Sequence, residues 1–158
     1  MKRIAVLYSE NTPVLDALIS KLENYHYQLM TVFPDNPDEF DLIVDVNFKD
    51  EAKSNVLKCH YSLLPAFPSD EPLREAFLAG VKVTGITIYY TKSQRILAQY
   101  PLFIKNEAHY DEILQEMMYL EQVILPIVVE KILTNEPVDI QSLLKGSHCS
   151  GGCSGCRH

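Results

Sequence analysis

Apolar residues fall into short clusters whose spacing changes along the chain. Ile4-Ala5-Val6-Leu7-Tyr8 is an unbroken run, the pattern of a strand buried on both faces. It turns polar at Ser9-Glu10-Asn11. Val14, Leu15, Leu18, Ile19 and Leu22 then recur at helical spacing, so residues 13–24 are expected to form an amphipathic helix with Pro13 in its first turn. Tyr27 to Phe33 alternates and predicts a second strand. Pro34-Asp35-Asn36-Pro37-Asp38 reads as loop, and Asp41 to Val46 as a third, buried strand.

A fourth strand is expected from Asn55 to His60. The stretch Leu63-Leu64-Pro65-Ala66-Phe67-Pro68 must be irregular, because each proline removes a backbone donor. Glu71 to Ala79 fits a short helix closed by Gly80. Val83 to Tyr90 and Ile96 to Ile104 are β-rich runs separated by Thr91-Lys92-Ser93-Gln94-Arg95, the signature of a hairpin. Tyr110 to Leu133 predicts a long helix interrupted by Pro126. Strand–helix–strand at the front and a hairpin behind predict an α/β sheet, parallel at first and mixed toward the end, with a long C-terminal helix. Residues 1–137 are expected to form one domain and residues 138–158 a linker and Cys-rich tail.

A length of 158 residues and 47% hydrophobic content support a single domain with a real core. The formal charge of −7 and the lack of a basic run argue against nucleic acid as a partner. No apolar stretch suits a membrane span, and Met1 to Leu7 turns polar too soon for a signal peptide. A cytoplasmic protein acting on a small molecule is expected. Reduced thiols in that compartment favour metal or redox chemistry over structural disulfides.

Three of the four cysteines lie in the final segment, as Cys149-x3-Cys153-x2-Cys156, with His148 and His158 at its ends. Only Ser and Gly lie between the cysteines. Small residues let thiolates converge on one point, which suits Zn²⁺ or an iron–sulfur cluster; a redox-cycling thiol pair is the other reading. Elsewhere, Cys59, Met117 and Met118 read as core residues, and His26 and His109 as surface ones.

Val56-Leu57-Lys58-Cys59-His60-Tyr61-Ser62-Leu63-Leu64-Pro65 resembles the signature of the formyltransferase family, Asn-x-His-x-Ser-Leu-Leu-Pro at the end of a core strand. That family includes glycinamide ribonucleotide formyltransferase and methionyl-tRNA formyltransferase. His60, Ser62, Leu63, Leu64 and Pro65 match. Pro72-Leu73-Arg74-Glu75-Ala76, Gly85-Ile86-Thr87-Ile88 and Glu121-Gln122-Val123-Ile124-Leu125-Pro126 follow in the family's order. The likeness is good over residues 55–137 and weak in the N-terminal third. It implies a formyltransferase-like, Rossmann-like sheet and transfer of a formyl group from 10-formyltetrahydrofolate. It also implies His60 as acid/base, with Ser62, Leu64 and Pro65 at the substrate.

The departures fall on the catalytic parts. Lys58 stands where the family has Asn; two residues from His60 on a strand, it shares that residue's face. Its ammonium can still donate to an oxyanion, as a mobile point charge. The family's Asp-Gly-Gly-Pro run is replaced by Thr91-Lys92-Ser93-Gln94-Arg95, which holds no acid. Ser9, Asn11 and Leu15 fit a loop that holds a phosphate in the glycinamide ribonucleotide enzymes, but Glu10 adds negative charge there and Pro13 removes an N–H. The segment from Val46 to Val56 is also short for the family's strand-to-helix connection. Two functions therefore compete: a one-carbon enzyme with an altered or degenerate catalytic set centred on Lys58 and His60, and a non-catalytic metal-binding or thiol-redox accessory protein using the tail.

Overall fold

The computed structural model describes residues 1–138. Residues 139–158, which carry His148, Cys149, Cys153, Cys156 and His158, lie outside the described residues.

The sheet has six strands: β1 Arg3–Leu7, β2 His26–Met30, β3 Leu42–Asp45, β4 Leu57–His60, β5 Val83–Tyr90 and β6 Ile96–Phe103, in the spatial order β2-β1-β3-β4-β5-β6. Neighbours from β2 to β4 run parallel, and β4-β5 and β5-β6 are antiparallel. This is the mixed sheet expected from the pattern. The interior strands β1 and β3 carry the continuous apolar runs, because helices or loops cover both of their faces. At the edge, β2 alternates and ends at Met30, short of the predicted Phe33.

Three helices complete the fold: α1 Pro13–Leu22, α2 Pro72–Ala79 and α3 Tyr110–Leu133. Thr12 caps α1, its hydroxyl accepting from the Leu15 N–H at 3.4 Å, and Pro13 opens the first turn. Gly80 closes α2 with φ 73°, a left-handed conformation that costs glycine little. Pro126 lies inside α3. The predicted loop at 34–38 contains part of a short 3₁₀ turn, Pro37–Glu39. Among the described residues, no helix is long and apolar enough to cross a membrane.

The two faces of the sheet are unequally covered. The main core joins Ile4, Val6, Leu57, Ile86 and Ile88 of the strands to Leu15 and Leu18 of α1 and to Met117, Leu125 and Val128 of α3. On the other face a smaller cluster of Ala5, Leu7, Ile43, Phe48 and Val56 is backed by Phe33, Phe40 and Ala52 from loops. The segment between β3 and β4 forms no helix or strand. Met117 is fully buried as expected, whereas Met118 is exposed. Adjacent residues of α3 thus have opposite surroundings.

The β5–β6 hairpin touches closely at Gly85. A Cβ there would lie 2.2 Å from the Tyr100 carbonyl oxygen and 2.7 Å from Leu63 Cδ2. Only a residue without a side chain fits between the second hairpin strand and the turn that follows β4.

Candidate functional site

Because β1, β3 and β4 are parallel, Leu7, Asp45 and His60 end at the same edge of the sheet. Ligands in open α/β sheets bind in the crevice outside these carboxyl ends. A cleft of about 470 Å³ lies there, lined among others by Thr12, Asn47, Lys58, His60, Tyr89 and Glu121.

Strand alternation sorts β4 into two sets of side chains. Lys58 and His60 share one face. Lys58 pairs in register with Asp45 on one side and Tyr89 on the other, and His60 with Thr87. Lys58 Nζ lies 3.9 Å from Asp45 Oδ2; Lys58 is 43% exposed, but Asp45 is buried. Asp45 also accepts the Phe48 N–H at 2.9 Å. Burial raises the Asp45 pKa, and the Phe48 N–H and the Lys58 charge oppose that rise.

His60 sits half-buried, with its ring edge-on to Tyr89 at 6.1 Å between centroids. Its Nε2 is 3.0 Å from the Phe67 carbonyl oxygen. A carbonyl only accepts, so Nε2 carries the proton and Nδ1 is the basic nitrogen. Desolvation lowers the His60 pKa, with a further push from Lys58 and an opposing contribution from Phe67. His60 is therefore neutral at neutral pH and equipped to take a proton. Phe67 has φ 51°, an uncommon conformation for a bulky residue, and this turn directs its carbonyl to His60.

The turn between β4 and α2 is held from below. The buried Ser62 donates through Oγ to the Ala66 carbonyl at 2.5 Å. Thr87 Oγ1 donates to the Ser62 carbonyl at 2.7 Å and accepts the Leu64 N–H at 3.0 Å. Gln99 Nε2 donates to the Leu64 carbonyl at 2.9 Å, and the Leu64–Pro65 peptide is cis. Ser62, Leu64 and Pro65 thus form the turn that carries His60's carbonyl partner. The cleft itself is walled further along by Pro68, Ser69 and Asp70. Ser69 Oγ is buried there without a hydrogen-bond partner among the described residues.

The other set on β4, Cys59 and Tyr61, faces α3 and Glu121. Glu121 is 5% exposed, and burial pushes its pKa up to about 7 despite the nearby phenol and thiol. Desolvation and Glu121 raise Cys59 and Tyr61 in turn. Cys59, Tyr61, Glu121 and Met118 all reach the cleft wall.

Ser9 and Asn11 lie in the exposed loop between β1 and α1, beside the cleft residue Thr12. Asn47, just after β3, holds that loop. Its Oδ1 accepts the Ser9 and Glu10 N–H groups at 2.7 and 3.2 Å, and its Nδ2 donates to the Glu10 carbonyl at 2.8 Å. Lys49 adds an ion pair to Glu10 at 2.6 Å and a backbone donor to Ser9 Oγ at 3.1 Å.

The pattern reading singled out Lys58 and His60, and they stand together in the cleft. Asp45, Asn47 and Ser69 were not among the expected site residues, and Glu121 entered only as part of a helix motif. Asp45 did leave a signal: an acid at the carboxyl end of an apolar strand run, where α/β sheets place their ligands. No group of three or more His, Cys, Asp or Glu suited to a metal occurs among the described residues.

A mixed α/β sheet carries a histidine, a lysine and a buried carboxyl group together at its carboxyl edge, where such sheets commonly bind ligands. Residues 37–129, more than half of the chain, match the family model described as Formyl transferase, and the chain belongs to that family. It is 37% identical over 82 residues to the phosphoribosylglycinamide formyltransferase of Bacillus subtilis, a match covering 49% of this chain and 42% of that protein. To the formyltetrahydrofolate deformylase of Synechocystis it is 32% identical over 75 residues, covering 45% and 26%. The chain thus spans less than half the length of these curated relatives. Its fold is similar to phosphoribosylglycinamide formyltransferase from Bacillus halodurans, with TM-score 0.67, 20% identity and 84% and 95% of the two chains covered. The corresponding Symbiobacterium toebii enzyme, glycinamide ribonucleotide transformylase 1, gives TM-score 0.70 at 19% identity, covering 85% and 89%.

Proposed function

We propose that this chain removes the formyl group of 10-formyltetrahydrofolate with an altered catalytic set, in which Lys58 and His60 are the catalytic residues. The observation that carries this reading is the placement of both side chains on one face of β4, in the cleft at the sheet's carboxyl edge. A nucleophile attacks the formyl carbon, and negative charge develops on the formyl oxygen. The Lys58 ammonium supplies the donor for that oxyanion. Neutral His60 accepts the nucleophile's proton and passes it to the departing folate nitrogen as the carbon–nitrogen bond breaks. Asp45 orients Lys58 from the neighbouring strand, a positioning role for a carboxylate that the 91–95 loop lacks. Ser62, Leu64 and Pro65 hold the turn behind His60 and so support the Pro68–Asp70 wall against which the formylated folate lies, and the loop with Ser9 and Asn11 borders the acceptor. Such a protein works on small molecules in the cytoplasm.

The test is tetrahydrofolate release from 10-formyltetrahydrofolate, with water, glycinamide ribonucleotide or simple amines as acceptor, alongside folate binding measured by thermal shift. Release lost in His60→Ala and reduced in Lys58→Ala is the expected result. No release with any acceptor and no shift on folate addition would refute the proposal.

A second reading rests on the Cys149-x3-Cys153-x2-Cys156 spacing with His148 and His158: an accessory protein that binds Zn²⁺ or an iron–sulfur cluster, or cycles thiols, without formyl chemistry. Anaerobic purification followed by metal and sulfide analysis decides its metal form. Metal-free protein with intact thiols rules that form out.

A further inference from the structure

A single hydrogen bond does not fix a ring. Among the described residues, His60 makes one, from Nε2 to the Phe67 carbonyl at 3.0 Å. An imidazole held at one nitrogen still pivots about that line, and its free Nδ1 sweeps across the cleft. A general base is commonly oriented by a further group. The nearest acid on this face, Asp45, is engaged with Lys58 and the Phe48 N–H. The turn at 91–95 cannot serve either. The Thr91 N–H donates to the Val56 carbonyl at 2.9 Å, and Asn55 Oδ1 accepts the Lys92 and Ser93 N–H groups at 2.9 and 3.2 Å. The turn is therefore tied to the start of β4, about 13 Å of strand from His60.

Tyr89 is placed where a second hold is needed. It lines the cleft and pairs in register with Lys58, the residue two before His60. Its ring lies 6.1 Å from the His60 ring, centroid to centroid, with the planes at 86°. That is the T-shaped arrangement aromatic pairs prefer. Tyr89 is itself fixed by an irregularity in the hairpin. Ile88 pairs with Ala98 but Tyr89 with Ile96, which leaves Leu97 as an extra residue of β6. Such bulges sharpen the local twist, re-aim side chains and recur beside active sites. This one falls at the residue whose ring meets His60. The turn tied to Asn55 and Val56 then braces the end of β5 immediately beyond it.

We propose that Tyr89 is a positioning residue of the site: its ring fixes the plane of the His60 imidazole, with Nε2 on the Phe67 carbonyl and Nδ1 turned to the cleft. The aromatic face and edge do this, not the hydroxyl. The consequence for rate rests on the formyl-transfer reading above; the consequence for the His60 ring does not.

Two measurements on the full chain, as native protein, Tyr89→Phe and Tyr89→Leu, test it. In the first, the ring nitrogens of ¹⁵N-labelled histidine are followed by NMR across pH. The native chain and Tyr89→Phe should each show a single His60 tautomer protonated at Nε2. In Tyr89→Leu the two nitrogen shifts should draw together as the tautomers mix, and the titration should move toward 6.5 as the ring gains water. Tyr89→Met serves if Tyr89→Leu misfolds. In the second, tetrahydrofolate release from 10-formyltetrahydrofolate is timed. Tyr89→Phe should keep kcat within about twofold, and Tyr89→Leu should lower it about tenfold with KM for the folate nearly unchanged, the size of one such ring contact expressed as a rate. Unchanged His60 nitrogens or an unchanged kcat in Tyr89→Leu overturns the proposal. So does a loss in Tyr89→Phe equal to that in Tyr89→Leu, which would assign the effect to the hydroxyl. If the native chain releases no tetrahydrofolate, the formyl-transfer reading falls, and the ring spectra alone decide whether Tyr89 holds His60.

Discussion

The two faces of β4 each set a buried carboxyl group against the strand, and the two groups meet different company. On one face Asp45 has a cation 3.9 Å away and a backbone N–H at 2.9 Å, both opposing the rise that burial imposes. On the other, Glu121 meets chiefly a phenol and a thiol, and its pKa rises to about 7. Burial is similar, 4% and 5% exposed. What differs is the company: a short backbone N–H bond and then a neighbouring ammonium favour ionised Asp45, whereas Glu121 meets chiefly a phenol and a thiol. Alternation along four residues, Lys58-Cys59-His60-Tyr61, therefore makes a charged, proton-handling face and a largely neutral one.

The largest effect expected on the first face is from His60→Ala, which should lower the rate of formyl release by about 10²–10⁴-fold, the usual range for a lost general acid/base. Rate measurements across pH sharpen the test. Because the His60 pKa is lowered, its basic form persists below the ordinary histidine value, so the acid limb of the native chain should fall on the acid side of 6.5. Folding carries the same sign: this group's contribution to stability is full above the unfolded pKa and is lost as pH falls through the lowered folded one.

On the other face the readout is stability. Below the ordinary glutamate value of 4.5 the Glu121 carboxyl is protonated in both folded and unfolded chains. As pH rises from there to about 7, the folded chain holds the extra proton and stability falls; above that the cost is complete. Glu121→Gln removes the titration. Chemical denaturation should show the variant more stable than the native chain by up to about 3 kcal/mol at pH 8 and equal to it near pH 4. A difference independent of pH would mean that Glu121 is not the neutral-partner case.

Exchanging the partners gives a smaller effect. Asp45→Asn keeps an acceptor for Phe48 but takes the carboxylate from Lys58. At 3.9 Å with a half-exposed lysine, the pair supplies about 1 kcal/mol, so kcat should fall about fivefold with KM for the folate nearly unchanged. Asp45→Glu should restore part of the rate. An unaltered kcat in Asp45→Asn would leave Lys58 positioned by something else.

Most of the fold was legible because its local signals agree with its packing. The apolar run at Ile4–Leu7, the helical spacing of α1, Gly80 at the end of α2 and the two β-rich runs of the hairpin each match the element observed. The misfits are at places where tertiary surroundings decide. At the sheet edge β2 stops at Met30 although alternation continues, because pairing with β1 ends there. Met118 looks like its neighbour Met117 in sequence but borders the cleft. The site was half legible: Lys58 and His60 lie on one strand, so spacing reveals their shared face. Asp45 and Asn47 join them from another strand and loop, by a register that sequence spacing does not encode.

Gly85 connects this chemistry to protein engineering. Its missing side chain makes room for both Tyr100 and Leu63, while Thr87 and Gln99 hold Ser62 and Leu64 by hydrogen bonds. The His60 turn is thus cast against the hairpin as a mould. Transplanting residues 57–68 alone into another sheet would move the letters of the motif without its shape. The smallest graft that keeps the shape also takes residues 84–101, with glycine retained at its tightest point.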